Sequence, residues 1–253
     1  MIVRNQDERE SLIEAGKRLG EVLEAVAAIV APGISTHELD TLAEKMIRER
    51  GDEPAFKGYT PDGARRKYPA TLCVSVNDEV VHGIPNEGDR ILKEGDIVAL
   101  DLGLIHKGFV VDSALTVPVG VVSKEAYALM SATQHALEEA IAVARPGNRI
   151  GDISHATGAS FVGSGFSVVK MLGGHGVGSS VHEEPFIAND GHAGTGPEIV
   201  KGMVLALEPI ANAGKAIYQL PDSYRRLEDN EEFRIGAYTW RVVTGNGHSP
   251  DHA

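Results

Sequence analysis

The sequence predicts an α+β fold made of two similar halves around one central site, and three observations predict it. A long helical pattern ends at a Pro-Gly turn, and short apolar strand-like runs follow. The same order returns in the second half of the chain. The residues able to do chemistry fall in strands or glycine-rich turns, where a duplicated unit would gather them at its centre.

From about Asp7 to Ile29 the apolar residues Leu12, Ile13, Leu19, Val22, Leu23, Val26 and Ile29 recur at helical spacing. Ala31-Pro32-Gly33 stops that helix. Ser35 with Glu38 three residues on is a capping-box pattern, and a second helix is expected to run to about Arg50 before Gly51. A loop-rich stretch, 52–69, leads into β-type runs at Thr71–Val76, Ile97–Leu104 and Phe109–Val117. A third helix, about Lys124 to Ala144, ends at Arg145-Pro146-Gly147. At an offset of 114 residues Leu23-Glu24 falls on Leu137-Glu138, Pro32-Gly33 on Pro146-Gly147, and Leu39 on Ile153. The expectation is one domain, 1–253, with pseudo-twofold symmetry. The charged stretch Arg225–Glu232 reads as a solvated excursion.

Composition narrows the function. A net charge of -12 argues against a nucleic-acid binder, which needs clustered Lys and Arg. One cysteine, Cys73, excludes a disulfide framework within the chain and fits a reducing compartment. The N-terminal residues are polar, without the apolar core of a signal peptide, and no apolar run is long enough for a membrane span. A soluble, cytoplasmic, monomeric protein without a membrane partner is the expectation.

Four segments carry candidate chemistry. The first is Val81-His82-Gly83-Ile84-Pro85, whose histidine, taken alone, is more often a turn residue than a functional one. In the second, Asp101 interrupts the apolar run Ile97–Leu104 and Asp112 precedes Ser113-Ala114-Leu115. An ionised carboxylate in such runs is costly unless paired or bound to metal. A hairpin near His106-Lys107-Gly108 would set the two acids side by side. Like charges that close repel, and a cation between them removes the difficulty. The third segment, Gly173-Gly174-His175-Gly176-Val177-Gly178 followed by His182-Glu183-Glu184-Pro185, lacks the Lys-Ser or Lys-Thr of a phosphate loop. Its glycines instead suit a histidine whose backbone approaches a crowded centre. In the fourth, Glu208 ends the apolar run from Met203 and precedes Pro209. Two aspartates, a histidine and a glutamate suit Mn, Fe, Co or Zn rather than a thiolate zinc site. Bridging carboxylates can hold two cations about 3.5–4 Å apart.

In this order and spacing the motifs resemble those of type I methionine aminopeptidases, which have the pita-bread metallopeptidase fold. The match runs from the first helix to at least Ala213. The resemblance implies that two divalent cations (Co, Mn, Fe or Zn) are held by Asp101, Asp112, His175 and Glu208. It makes His82, His182 and Glu208 catalytic, the two histidines contacting substrate. Phe56, Tyr59, Tyr68, Cys73 and Trp240 would line a methionine pocket. The implied activity is removal of the first methionine from nascent proteins and peptides, with transient ribosome association as an implied partner.

The sequence departs from the family at one point. The family's second glutamate ligand, in a segment of the form Gln-Phe-Glu-His-Thr or Gln-Phe-Glu-Asp-Thr after the pocket tryptophan, is not found. Aligning Trp240 with that tryptophan places Ala253 just before the segment, so a C-terminal truncation is expected. The other alignment puts Tyr238 in the ligand position. Alternative readings are an Xaa-Pro aminopeptidase or prolidase, or a catalytically weak binding module.

Overall fold

In the structure, a computed structural model, residues 1–60, 66–88 and 90–213 are described in full, and 232–235 and 238–241 by their backbone alone. Helix α1 (Gln6–Ala28) starts at Asn5, whose side chain accepts from Glu8 N, with Asp7 and Glu8 favourably placed in the first turn. It buries Ala15, Leu19, Val22, Leu23 and Val26, one stripe at helical spacing. Helix α2 (Thr36–Glu49) opens with the expected box: Glu38 N donates to Ser35 Oγ and Ser35 N to Glu38 Oε2. Both helices cover a sheet of β1 (Glu53–Pro54), β2 (Leu72–Val76), β3 (Ile97–His106) and β4 (Phe109–Pro118).

Strand β3 is the spine of that sheet. It pairs antiparallel with all of β4 along one edge, and with β2 and β1 along the other. Lys107 and Gly108, with φ of 50° and 82°, make the two-residue turn whose twist matches the flanking strands. Val98, Leu100, Leu102 and Leu104 point into the core beneath the helices. By strict alternation Ala99, Asp101 and Gly103 face the other way. An acid can therefore sit in an apolar strand without entering the apolar core.

The second half repeats the plan with α3 (Lys124–Val143) and α4 (Ile150–Ser160). Its strands are β5 (Ser167–Val168), β6 (Gly173–Gly176), β7 (Glu183–Ala188), β8 (Leu205–Ala206) and β9 (Ala211–Asn212). They pair antiparallel as β7-β6-β8 and β5-β9. Farther on, β10 (Glu232–Ile235) pairs with β11 (Tyr238–Arg241), with Phe233 opposite Trp240. The charged stretch Arg225–Glu232 falls almost wholly outside the described residues, as do all residues after 241.

The internal duplication is visible in the hydrogen bonds. Gly33 N donates to Leu92 O, Leu92 N to Ile34 O, and Thr36 N to Arg90 O. One repeat on, Gly147 N donates to Ile199 O, Ile199 N to Asn148 O, and Ile150 N to Pro197 O. The caps correspond too: Asp152, which aligns with Glu38, accepts from Arg149 N at 2.7 Å. Arg149 has no acceptor to return, so the second box is half of the first. Following the paired strands, Leu92 matches Ile199 and Asp101 therefore matches Glu208. The two acids are counterparts in the repeat.

One expectation is corrected. The apolar run before Glu208 forms a strand of only two residues, Leu205–Ala206, so the glutamate lies beyond the strand's end. Proline at 209 supplies no backbone donor to continue the ladder.

Candidate metal centre

The two aspartates come from the two arms of the β3–β4 hairpin. Asp112 is opposite Gly103, and Asp101 is opposite Ala114, so the acids are diagonal neighbours on one face rather than a directly facing pair. Gly103, opposite Asp112, leaves room for the Phe56 ring, since a Cβ there would lie 2.5 Å from it. On the other side, β6 brings His175 opposite Ala206, close to where Glu208 leaves β8. Glycines make this approach possible. A Cβ on Gly174 would lie 2.1 Å from Ala206 O, and one on Gly176 would lie 2.3 Å from Glu184 O. Both are backbone clashes that no rotamer relieves.

Asp112, His175 and Glu208 each offer one ligand atom, and these atoms lie within 4.8 Å of one another. Asp112 Oδ2, His175 Nε2 and Glu208 Oε1 are all buried atoms without a well-formed hydrogen bond. His175 Nε2 is 2.9 Å from Glu208 Oε1 and 3.8 Å from Asp112 Oδ2, close but not aligned for hydrogen bonding. Buried polar atoms are rarely left so. His175 Nδ1 is 2.8 Å from Gly176 O, and a carbonyl can only accept, so Nδ1 carries the proton and Nε2 presents a lone pair to the centre. Three bare donors converging on one space fit a divalent cation.

Asp101 is the diagonal neighbour of Asp112 and lies in register with Cys73 of β2. Burial, then the charge of Glu208, pushes its carboxyl up to about 8. Burial, then the charge of Asp101, holds Asp112 well above the ordinary carboxylate range. For His175 burial opposes the charged form, but Glu208 outweighs it and the ring is raised. The protein alone thus gathers more acid than it can ionise, which is the electrostatic mark of a cation site.

His182 follows β6 by a tight turn. Its ring lies 4.5 Å from that of His175, and its Nδ1 is 3.1 Å from the Tyr59 hydroxyl. Burial, then the neighbouring His175, depresses it to about 4. The turn is held through Glu183, which accepts from Ser180 N at 2.9 Å and pairs with the Met1 ammonium. His82 has a left-handed φ of 58°, and Gly83 presses so close to β2 that a Cβ would lie 2.1 Å from Val74 O. The His82 segment therefore lies flush against the strand that flanks Asp101.

Of the expected pocket residues, Phe56, Tyr68 and Cys73 sit in one buried cluster with Tyr59 packed against it. That cluster also contains Val177, Val181 and Ala206, with Ile84 beside it, so it abuts every functional segment. The side chain of Trp240, the Tyr238 alternative and the expectation for the chain end all lie outside the described residues. The sequence reading missed Glu183 as the brace of the His182 turn and Tyr59 as a partner of His182. Glu183 falls inside a quoted motif, but nothing local signals its long-range partners.

Such a hairpin-and-glycine cradle for a cation marks a metalloprotein, and the comparisons say which. Residues 10–237 match the model of metallopeptidase family M24, and the chain belongs to that family. A methionine aminopeptidase of Clostridium perfringens is 41% identical over 254 residues, covering 100% of this chain and 92% of the relative. The crystal structure of a Thermotoga maritima methionine aminopeptidase superposes with a TM-score of 0.78 at 39% identity, covering 85% of this chain and 84% of that one. An X-Pro aminopeptidase from Thermotoga maritima shares the fold, with a TM-score of 0.66 at 20% identity, covering 82% of this chain and 55% of its own.

Proposed function

We propose that this protein is a methionine aminopeptidase that releases the first methionine from nascent proteins and peptides. The observation that carries the reading is the convergence of Asp112 Oδ2, His175 Nε2 and Glu208 Oε1, backed by Asp101 and flanked by His182. The likeness to methionine aminopeptidases over most of both chains supports the substrate. The X-Pro aminopeptidase is alike in fold only and does not favour the alternative.

Asp101, Asp112, His175 and Glu208 would hold two divalent cations from among Co, Mn, Fe and Zn, whose chemistry there would be to acidify water and polarise the scissile carbonyl. Glu208 takes the proton of the attacking water, a role supported by its 30% side-chain exposure, more open than its partners. His182 donates to the oxygen that gains negative charge, and His82 hydrogen-bonds the amide nitrogen beyond the cleaved bond. The Phe56, Tyr59, Tyr68 and Cys73 cluster, with Trp240, receives the unbranched thioether side chain. The reaction belongs to the cytoplasm, in a monomer that meets nascent chains transiently at the ribosome.

The test is release of methionine from Met-Ala-Ser, abolished by a chelator and restored by a divalent cation. Cleavage of an Xaa-Pro peptide with none of Met-Ala-Ser would overturn the assignment. His175→Ala is expected to lose metal and activity together. His182→Ala is expected to retain metal and to lose turnover by a factor of about 10² to 10³, the worth of an oxyanion donor. Equal metal loss in both variants would remove His182 from the substrate side.

A further inference from the structure

We propose that Tyr59 is a positioning residue for His182: its hydroxyl donates to Nδ1 and so fixes the proton on Nε2, the nitrogen that faces substrate. This rests on the functional reading above only in assigning His182 the task of hydrogen-bond donor. The geometry comes from the structure. The Tyr59 hydroxyl oxygen is 3.1 Å from His182 Nδ1, and the two rings lie 5.6 Å apart and tilted by 44°.

A phenol and an imidazole can share a hydrogen bond in either sense, and the two senses give opposite chemistry. If Nδ1 donated, Nε2 would present a lone pair and repel a developing oxyanion. If the hydroxyl donates, Nε2 carries N–H and stabilises that charge. Basicity decides between them. Imidazole is protonated near about pH 6.5, whereas phenol loses its proton near about 10, so the ring nitrogen is the better acceptor and the hydroxyl the better donor.

Tyr59 is itself held firmly. Tyr59 N donates to Phe56 O at 2.9 Å and Tyr68 N to Tyr59 O at 2.8 Å, while Gly58 N donates to Tyr68 O at 2.8 Å. These bonds tie Tyr59 to the first half's core, where Phe56 and Tyr68 are buried. His182, on a turn of the second half, is thus oriented by a residue of the first. The role is distinct from lining a pocket, because it depends on one oxygen atom.

The experiment compares the parent chain with Tyr59→Phe, which keeps the ring. In ¹⁵N-histidine-labelled, zinc-loaded protein, with the His182 signals assigned by their loss in His182→Gln, the parent should show a lone-pair-type Nδ1 and a proton-bearing Nε2. Tyr59→Phe should show the two tautomers mixed. Its kcat on Met-Ala-Ser should fall about ten-fold, on the scale of one hydrogen bond, with KM within about two-fold. A proton-bearing Nδ1 in the parent, or an unchanged pattern in Tyr59→Phe, would overturn the proposal. The tautomer is read without turnover, so a parent that fails to cleave Met-Ala-Ser would sink the functional reading and leave this measurement decisive for Tyr59.

Discussion

The two halves share a plan but divide the labour. Helix α1 buries five residues against the β2–β3–β4 sheet, and the β3–β4 hairpin pairs over ten residues in each arm. Helix α3 is nearly as long as α1 yet buries only Ala136 and Ala140 among the described residues, and β8 has two residues. The first half is a packed platform that projects Asp101 and Asp112 from its outer face. The second half is a glycine-rich cradle that can bring backbone and imidazole close to those acids. Among the described residues, the first copy thus supplies a packed platform and the second the close approach to its acids.

The sharpest way to break that contrast is at Gly174. Gly174→Ala sets a methyl against the Ala206 carbonyl, so β6 and β8 must separate and His175 must move away from Glu208. We expect metal affinity and activity to fall at least about 100-fold, since a misplacement of about 1 Å at a catalytic site costs that much. Calorimetric titration with Mn and the Met-Ala-Ser assay check this. Wild-type metal affinity in Gly174→Ala would mean that the close approach is not what builds the centre.

The next comparison uses positions related by the repeat. Leu23 is buried at 4% exposure, whereas Leu137 is half-buried. Leu23→Ala should cost about 2–5 kcal/mol in denaturant unfolding, and Leu137→Ala less than half of that. Metal affinity should change little in either. Equal losses would show that the second half is as much a scaffold as the first.

The smallest effect expected is a pH dependence of the metal-free protein. The folded Asp101 carboxyl is raised to about 8, so the folded state holds a proton that the unfolded chain has released above about pH 4. Its contribution to stability is therefore largest in acid and declines as pH rises from about 4 to about 8. A cation reverses this by favouring the ionised pair, so the gain in Tm on adding Mn should grow with pH through the same window. A metal-dependent gain in Tm that shrinks with pH would contradict the placement of Asp101 at the centre.

Much of this was legible in the sequence because it is local. Helical spacing, the Ser35–Glu38 box, the Lys107-Gly108 turn and the offset between Pro32-Gly33 and Pro146-Gly147 are short-range signals. The acids Asp101, Asp112 and Glu208 stood out because each interrupts or ends an apolar run, where an uncompensated charge is costly. The match of Asp101 with Glu208 was not legible. The segments between the Pro-Gly turns and these acids differ in length, so the offset that aligns the helices does not align the strands.

The residues themselves determined which elements form, which faces are apolar and which side chains can bind a hard cation, since periodicity, capping and charge cost act within a few positions. Only the tertiary structure decided that Asp101 is a diagonal neighbour of Asp112, that Gly174 lets β6 meet β8, and that Glu183 braces the His182 turn through Met1. It alone placed the Tyr59 hydroxyl 3.1 Å from His182 Nδ1. Those relations join residues far apart in the chain. They depend on strand register and on backbone approach within tenths of an ångström, which no local pattern encodes.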